Sequence, residues 1–161
     1  MEPEHRIAPT PDGGVELRLP AEERELLLQL REELLSLLAN APDDPSLERL
    51  FPPAYDDDRA AAEYRRLMQD ELLSGHRAAF AVLEETAARE RLSAEEAEAW
   101  LRALNDLRLV LGTRLDVQED TFAEGLDLRD PRAPELAVYG YLTWLQGSLV
   151  EALARASGSR G

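Results

Sequence analysis

Several reactive groups are missing from this 161-residue chain. It has no cysteine, so disulfides, thiolate nucleophiles and thiolate zinc sites are excluded. It has no lysine either; every basic residue is Arg. That removes lysine-dependent chemistry such as a P-loop or a Schiff base. Imidazole comes only from His5 and His76, and sulfur only from Met1 and Met68. Aromatic residues are 6% of the chain. No apolar run approaches the ~18 residues that a membrane span needs, and the acidic, polar start MEPEHRIAPTPDGG does not resemble a signal peptide. These features point to a cytoplasmic protein that touches no membrane.

What is present is acid and leucine. Asp and Glu number 33 against 18 basic residues, a formal charge of −15. Such a balance disfavours direct binding to nucleic acid. Only residues 59–91 are electrically neutral, with Arg65, Arg66 and Arg77 among them. Hydrophobic residues make up 44% of the chain, enough for a core.

The pattern predicts a mainly α fold, a bundle of about four long helices with a short N-terminal β-hairpin. One domain spans 1–156, followed by a mobile tail over 157–161. The hairpin covers about 5–19: Pro11-Asp12-Gly13-Gly14 is turn chemistry, and Val15 to Leu19 alternates. Helix one covers about 21–39, with Leu27, Leu30, Leu34 and Leu37 at helical spacing and other leucines widening the stripe. Residues 40–58 break regularity, with a single turn expected over Ser46–Leu50. Helix two is expected over about 58–90, with Tyr64, Leu67, Met68, Leu72, Phe80, Val82 and Leu83 as apolar positions and Gly75 marking a kink or close crossing. Ser93 and Glu96 form a capping-box pattern that opens helix three, which runs to about Leu115. An acidic loop over 116–130 leads to helix four, ending near Ala156.

Few constellations suggest chemistry. His76 has no second His at i+3 or i+4 and reads as an ordinary surface or half-buried residue rather than a phosphotransfer or metal site. Asp56-Asp57-Asp58 reads as a solvated loop that caps helix two. The stretch Asp116–Asp127 lacks the glycine of a calcium loop, with Thr121 at the sixth position. No catalytic residue, metal or cofactor is assigned. The densest polar insertion is on helix three: Asn105, Asp106 and Arg108, then Thr113 and Arg114. It reads either as a structural polar network, with Arg102 able to pair with Asp106 and Asn105 with Arg108, or as a partner-binding patch. Helix four is apolar around nearly its whole circumference, which makes it either central to the bundle or shared in a homodimer through Tyr141, Trp144, Leu145 and Leu149.

The segment Glu98–Leu115, EAWLRALNDLRLVLGTRL, resembles the signature of an actinobacterial family of AosR-like oxidative-stress regulators. Thr10–Val15, Leu50–Tyr55 and Val138–Gln146 resemble the same family, in the same order. Many of its members carry only the label of a domain of unknown function. The resemblance implies a non-enzymatic, transcription-linked regulator that contacts a stress sigma factor. It also implies a sensor disulfide between two cysteines, which no position here can inherit. A direct DNA-binding regulator and a structural scaffold are the alternatives.

Overall fold

The computed structural model describes residues 6–41, 44–50, 59–118, 121 and 127–158. His5, the Asp56–Asp58 run, much of the 116–130 loop and residues 159–161 lie outside that set. The chain is mainly helical, as the periodicity predicts, with a small antiparallel sheet at one end.

The hairpin forms where the turn chemistry places it. Strand β1 (Ile7–Pro9) pairs with β2 (Val15–Leu17), Ala8 facing Glu16. Gly13 takes a φ of 92°, and the Thr10 hydroxyl donates to the Asp12 carboxylate inside the turn. Ile7, Val15 and Leu17 turn inward, and both strands lie against the last helix.

Helix α1 (Ala21–Asn40) buries Leu27, Leu34 and Leu38, while Leu26, Leu28, Leu30, Leu35 and Leu37 are half-buried. Its two arginines turn inward. Arg24 donates to the backbone carbonyls of Leu17, Leu19, Ala87 and Arg89. Arg31, buried, donates to Phe80 O at 2.9 Å and pairs with Glu32 and Glu84. A planar fork with five donors can satisfy several carbonyls at once, as an ammonium cannot. The single turn expected at 46–50 is a 3-10 helix over Pro45–Leu50, and Leu47 and Leu50 plug it into the core.

Helix α2 (Arg59–Thr86) stops earlier than about 90. Thr86 ends it: its hydroxyl donates to Val82 O at 2.7 Å and accepts from the buried Trp100 indole at 2.7 Å. The released residues Arg91–Leu92 form β3, a third strand on β2 (Val15 facing Leu92). A Cβ at Gly14 would meet Leu92 O at 2.2 Å, so this close pairing requires glycine there. Gly75 marks no close crossing, since a Cβ there would meet only the Arg102 guanidinium at an ordinary 3.8 Å. Leu67, one of the apolar positions read on this helix, is 69% exposed, whereas Phe80 and Leu83 are fully buried.

Helix α3 (Ala94–Arg114) opens with the predicted box: Glu96 N donates to Ser93 Oγ, and Ser93 N to the Glu96 carboxylate. It is the hub of the bundle, packing on α2, on the 3-10 helix and on α4 (Ala133–Gly158). Helix α4 continues through Ser157 and Gly158, two residues into the stretch expected to be a mobile tail. Gly112 lets α3 and α4 approach, because a Cβ there would meet Tyr139 Cε2 at 3.0 Å.

Candidate interaction site

Residues of a helix leave it at steps of about 100°, so Asp106 and Arg108, two positions and about 160° apart, face different neighbours. Asp106 points at α2. Asp106 is 3% exposed, and its carboxylate lies 2.6 Å from His76 Nδ1. His76 Nε2 is 3.4 Å from Leu50 O, a longer and weaker contact. Both imidazole nitrogens thus face acceptors, which suits the doubly protonated ring. The hydrogen bond to Asp106 raises the His76 pKa above 6.5; burial opposes this, the Asp106 charge and the Leu50 carbonyl add to it, and Arg102 opposes it.

Arg108 points instead at α4. It donates to Gln146 Oε1 at 2.6 Å and lies over the Tyr139 ring at 5.6 Å. Its buried Nε has no hydrogen-bond partner among the described residues. Asn105 is half-buried and shows no side-chain hydrogen bond among the described residues. The expected single network of Asn105, Asp106 and Arg108 is therefore two separate ties, one to each neighbouring helix, with Asn105 in neither. The carboxylate is served by His76 rather than by Arg102, and Arg108 turns to Gln146 rather than to Asn105. Thr113 turns back on its own helix, donating to Leu109 O at 2.8 Å.

Arg114 is exposed at the mouth of an apolar slot between α1, α3 and α4. Leu30, Leu34 and Leu37 form one wall, and Leu107 and Leu111 the other. Leu142 lies at the base, and Glu33 stands with Arg114 at the mouth. The cavity volume is about 40 Å³. A wider cleft of about 260 Å³ runs between α2 and α3, floored by Ala79, Ala99 and Val82 and edged by Ala78, Glu95, Glu98 and Arg102.

The expected dimer face on α4 is largely used inside one chain. Leu145 and Leu149 are fully buried, so neither is available to a second copy. Tyr141 and Trp144 are half-buried and tilted against each other, 5.8 Å between centroids. Arg6 of the hairpin edge sits over the Trp144 ring at 5.1 Å. Burial pushes the Tyr141 phenol up to about 12. The hairpin thus covers apolar surface that the sequence left without a cover. What α4 still exposes includes Val150 and open space beside Gly140 and Gly147.

Sequence reasoning missed His76, Gln146 and Tyr139 as the partners of this helix. Gln146 had a signal: it is the one side-chain amide in the uncharged run 136–150. His76 lies thirty positions from Asp106, and no local spacing connects them.

A family model described as a domain of unknown function, DUF2017, matches residues 4–153. An "oxidative stress regulator AosR" of Mycobacterium tuberculosis is 36% identical over 130 residues, covering 70% of this chain and 59% of that protein. A "putative oxidative stress regulator AosR" of Mycobacterium leprae is 35% identical over 133 residues, covering 71% and 61%. The chain therefore spans about three fifths of the length of these curated relatives. No solved structure matches it.

Proposed function

The chain belongs to the DUF2017 family, and from that membership we propose that it is a non-enzymatic regulatory protein that works by binding another protein. The observation that carries the reading is its likeness to proteins named as oxidative stress regulators. The partner proposed is a component of the transcription machinery, a stress sigma factor in the first instance. The chemistry of the residues agrees with a binding role. His76, the one imidazole in the described residues, has both nitrogens turned to Asp106 and Leu50, which suits a structural clamp better than a base. Arg24, Arg31, Arg108 and Arg132 spend guanidinium donors on the protein's own carbonyls and side chains. Their charge is thereby drawn into the fold, which favours a basic protein surface over DNA as the counterpart. Regulation here does not pass through a disulfide of these residues, since they hold no cysteine.

The test is affinity capture from native lysate with the tagged chain, the bound proteins being identified by mass spectrometry. Recovery of an RNA polymerase subunit or sigma factor at stoichiometric level is the expected result. Recovery of none, alongside tight sequence-selective binding of duplex DNA by the isolated chain at physiological salt, would overturn the proposal in favour of direct DNA binding.

A further inference from the structure

The slot between α1, α3 and α4 joins two features that bear on what would fill it. The first is size. At about 40 Å³ it holds roughly three waters. Sites for metabolites and cofactors run to about 300–1,000 Å³. The slot is too small for such a ligand and matches one branched aliphatic side chain. The second is the charge around it. Arg24 and Arg31 of α1 are turned into the fold, while Glu22, Glu25 and Glu33 on the same helix remain exposed. Glu33 stands at the mouth, accepts from Gln29 and has no ion pair among the described residues. Arg114 opposite is within the field of Asp44, whose carboxyl pKa it helps to lower after the hydrogen bonds from Ser46. The mouth itself balances one carboxylate with one guanidinium, but the exposed glutamates of α1 and the chain's −15 favour a basic partner and repel a second copy.

We propose that this slot is where the partner protein docks, through a basic helix that seats one leucine-like side chain between Leu37 and Leu111 and sets an Arg or Lys against Glu33. The inference rests on the protein-contact reading above and names its surface. A helix placing one anchor in a leucine-walled groove is a common mode of peptide recognition, and a single seated anchor carries much of the affinity.

The probe is a synthetic basic amphipathic helix bearing leucine anchors, titrated into the full chain at physiological salt and followed by fluorescence anisotropy. Its analogues replace the leucines by serine or the basic residues by Glu. Losing a buried leucine anchor corresponds to about 10- to 100-fold in affinity. The serine analogue is expected to bind that much more weakly, and so is the parent peptide to Leu111→Gln. Glu33→Arg, at an exposed position that leaves the fold intact, is expected to weaken the basic peptide and strengthen the Glu analogue. Equal binding of the leucine and serine peptides would mean charge attraction alone and would overturn the proposal. So would binding that neither variant changes, or no binding. Self-association of the chain that Leu111→Gln abolishes would assign the slot to a second copy and overturn it too. Lysate capture separates the two levels. Transcription proteins retained equally by wild type and Glu33→Arg would sink the slot and leave the regulatory reading standing. No capture by either would sink both.

Discussion

Replacing Asp106 by Asn removes a buried charge and keeps the shape of the side chain. In the native protein that carboxylate holds the His76 proton, and His76 in turn reaches Leu50, so one imidazole links α2, α3 and the 3-10 helix. The raised His76 pKa means that the folded state holds this proton more tightly than the unfolded chain does. The pair's stabilisation is therefore complete below about pH 6.5 and fades as pH rises through the folded pKa above it. A hydrogen bond to a charged group contributes about 1.5–3 kcal/mol. For a chain of this size 1 kcal/mol moves Tm by about 2–4 °C. Asp106→Asn should thus lower Tm by about 3–12 °C at pH 6. The gap to wild type should narrow toward pH 8.5. His76→Ala should cost more than Asp106→Ala at pH 7, about 3–5 kcal/mol, because it leaves a fully buried carboxylate unpaired, whereas an unpaired His can shed its proton. The assay is thermal melting from pH 5.5 to 8.5, with His5→Gln as the background that leaves a single titrating imidazole. Parallel melting curves for wild type and Asp106→Asn across that range would refute the reasoning.

Thr86→Val removes the acceptor of the buried Trp100 indole and should destabilise by about 1–3 kcal/mol in urea denaturation, with Trp100→Phe in the same background costing little more for the lost hydrogen bond. Gly112→Ala drives a methyl to 3.0 Å from the Tyr139 ring and should cost about 1–3 kcal/mol, while Gly140→Ala, facing open space, should be neutral or stabilising. Peroxide followed by reductant should leave partner affinity unchanged, since Met1 and Met68 carry the chain's sulfur; a reversible, several-fold change with the partner untreated would reveal a sensor.

Much of the fold is legible in the sequence because it is written locally. Ser93 and Glu96 announce the start of α3 three residues apart, and the Pro11–Gly14 turn sets the hairpin between Ile7 and Leu17. Strand β3 is not legible. Two residues, Arg91 and Leu92, carry no period, and what makes them a strand is β2, more than seventy positions earlier. The site divides in the same way. Arg102 and Asp106 stand at i,i+4, so a pairing within the helix is the natural local reading. The structure instead gives Asp106 to His76 on another helix, a choice made by packing. The apolar girth of α4 is plain in Tyr141, Trp144, Leu145 and Leu149. That the sheet, and not a second subunit, covers part of it depends on Arg6 reaching Trp144.

The sheet also sets an order of events during synthesis. The hairpin leaves the ribosome before the helices that bury it, with Ile7, Val15 and Leu17 made to be buried. Its third strand follows some seventy residues later, and α4, which covers it, begins only at Ala133. At roughly 5–20 residues per second, the nascent strands wait on the order of 10 s for that cover. During this interval an edge with apolar side chains is open to other nascent chains. Pro9 at the end of β1 and the charged Arg6 and Glu16 flanking the apolar positions are the residue types that blunt such an edge. Helix α1, translated directly after the hairpin, carries five Glu against two Arg, and this excess of negative charge, to which the rest of the chain adds, would keep neighbouring nascent chains apart until α4 arrives.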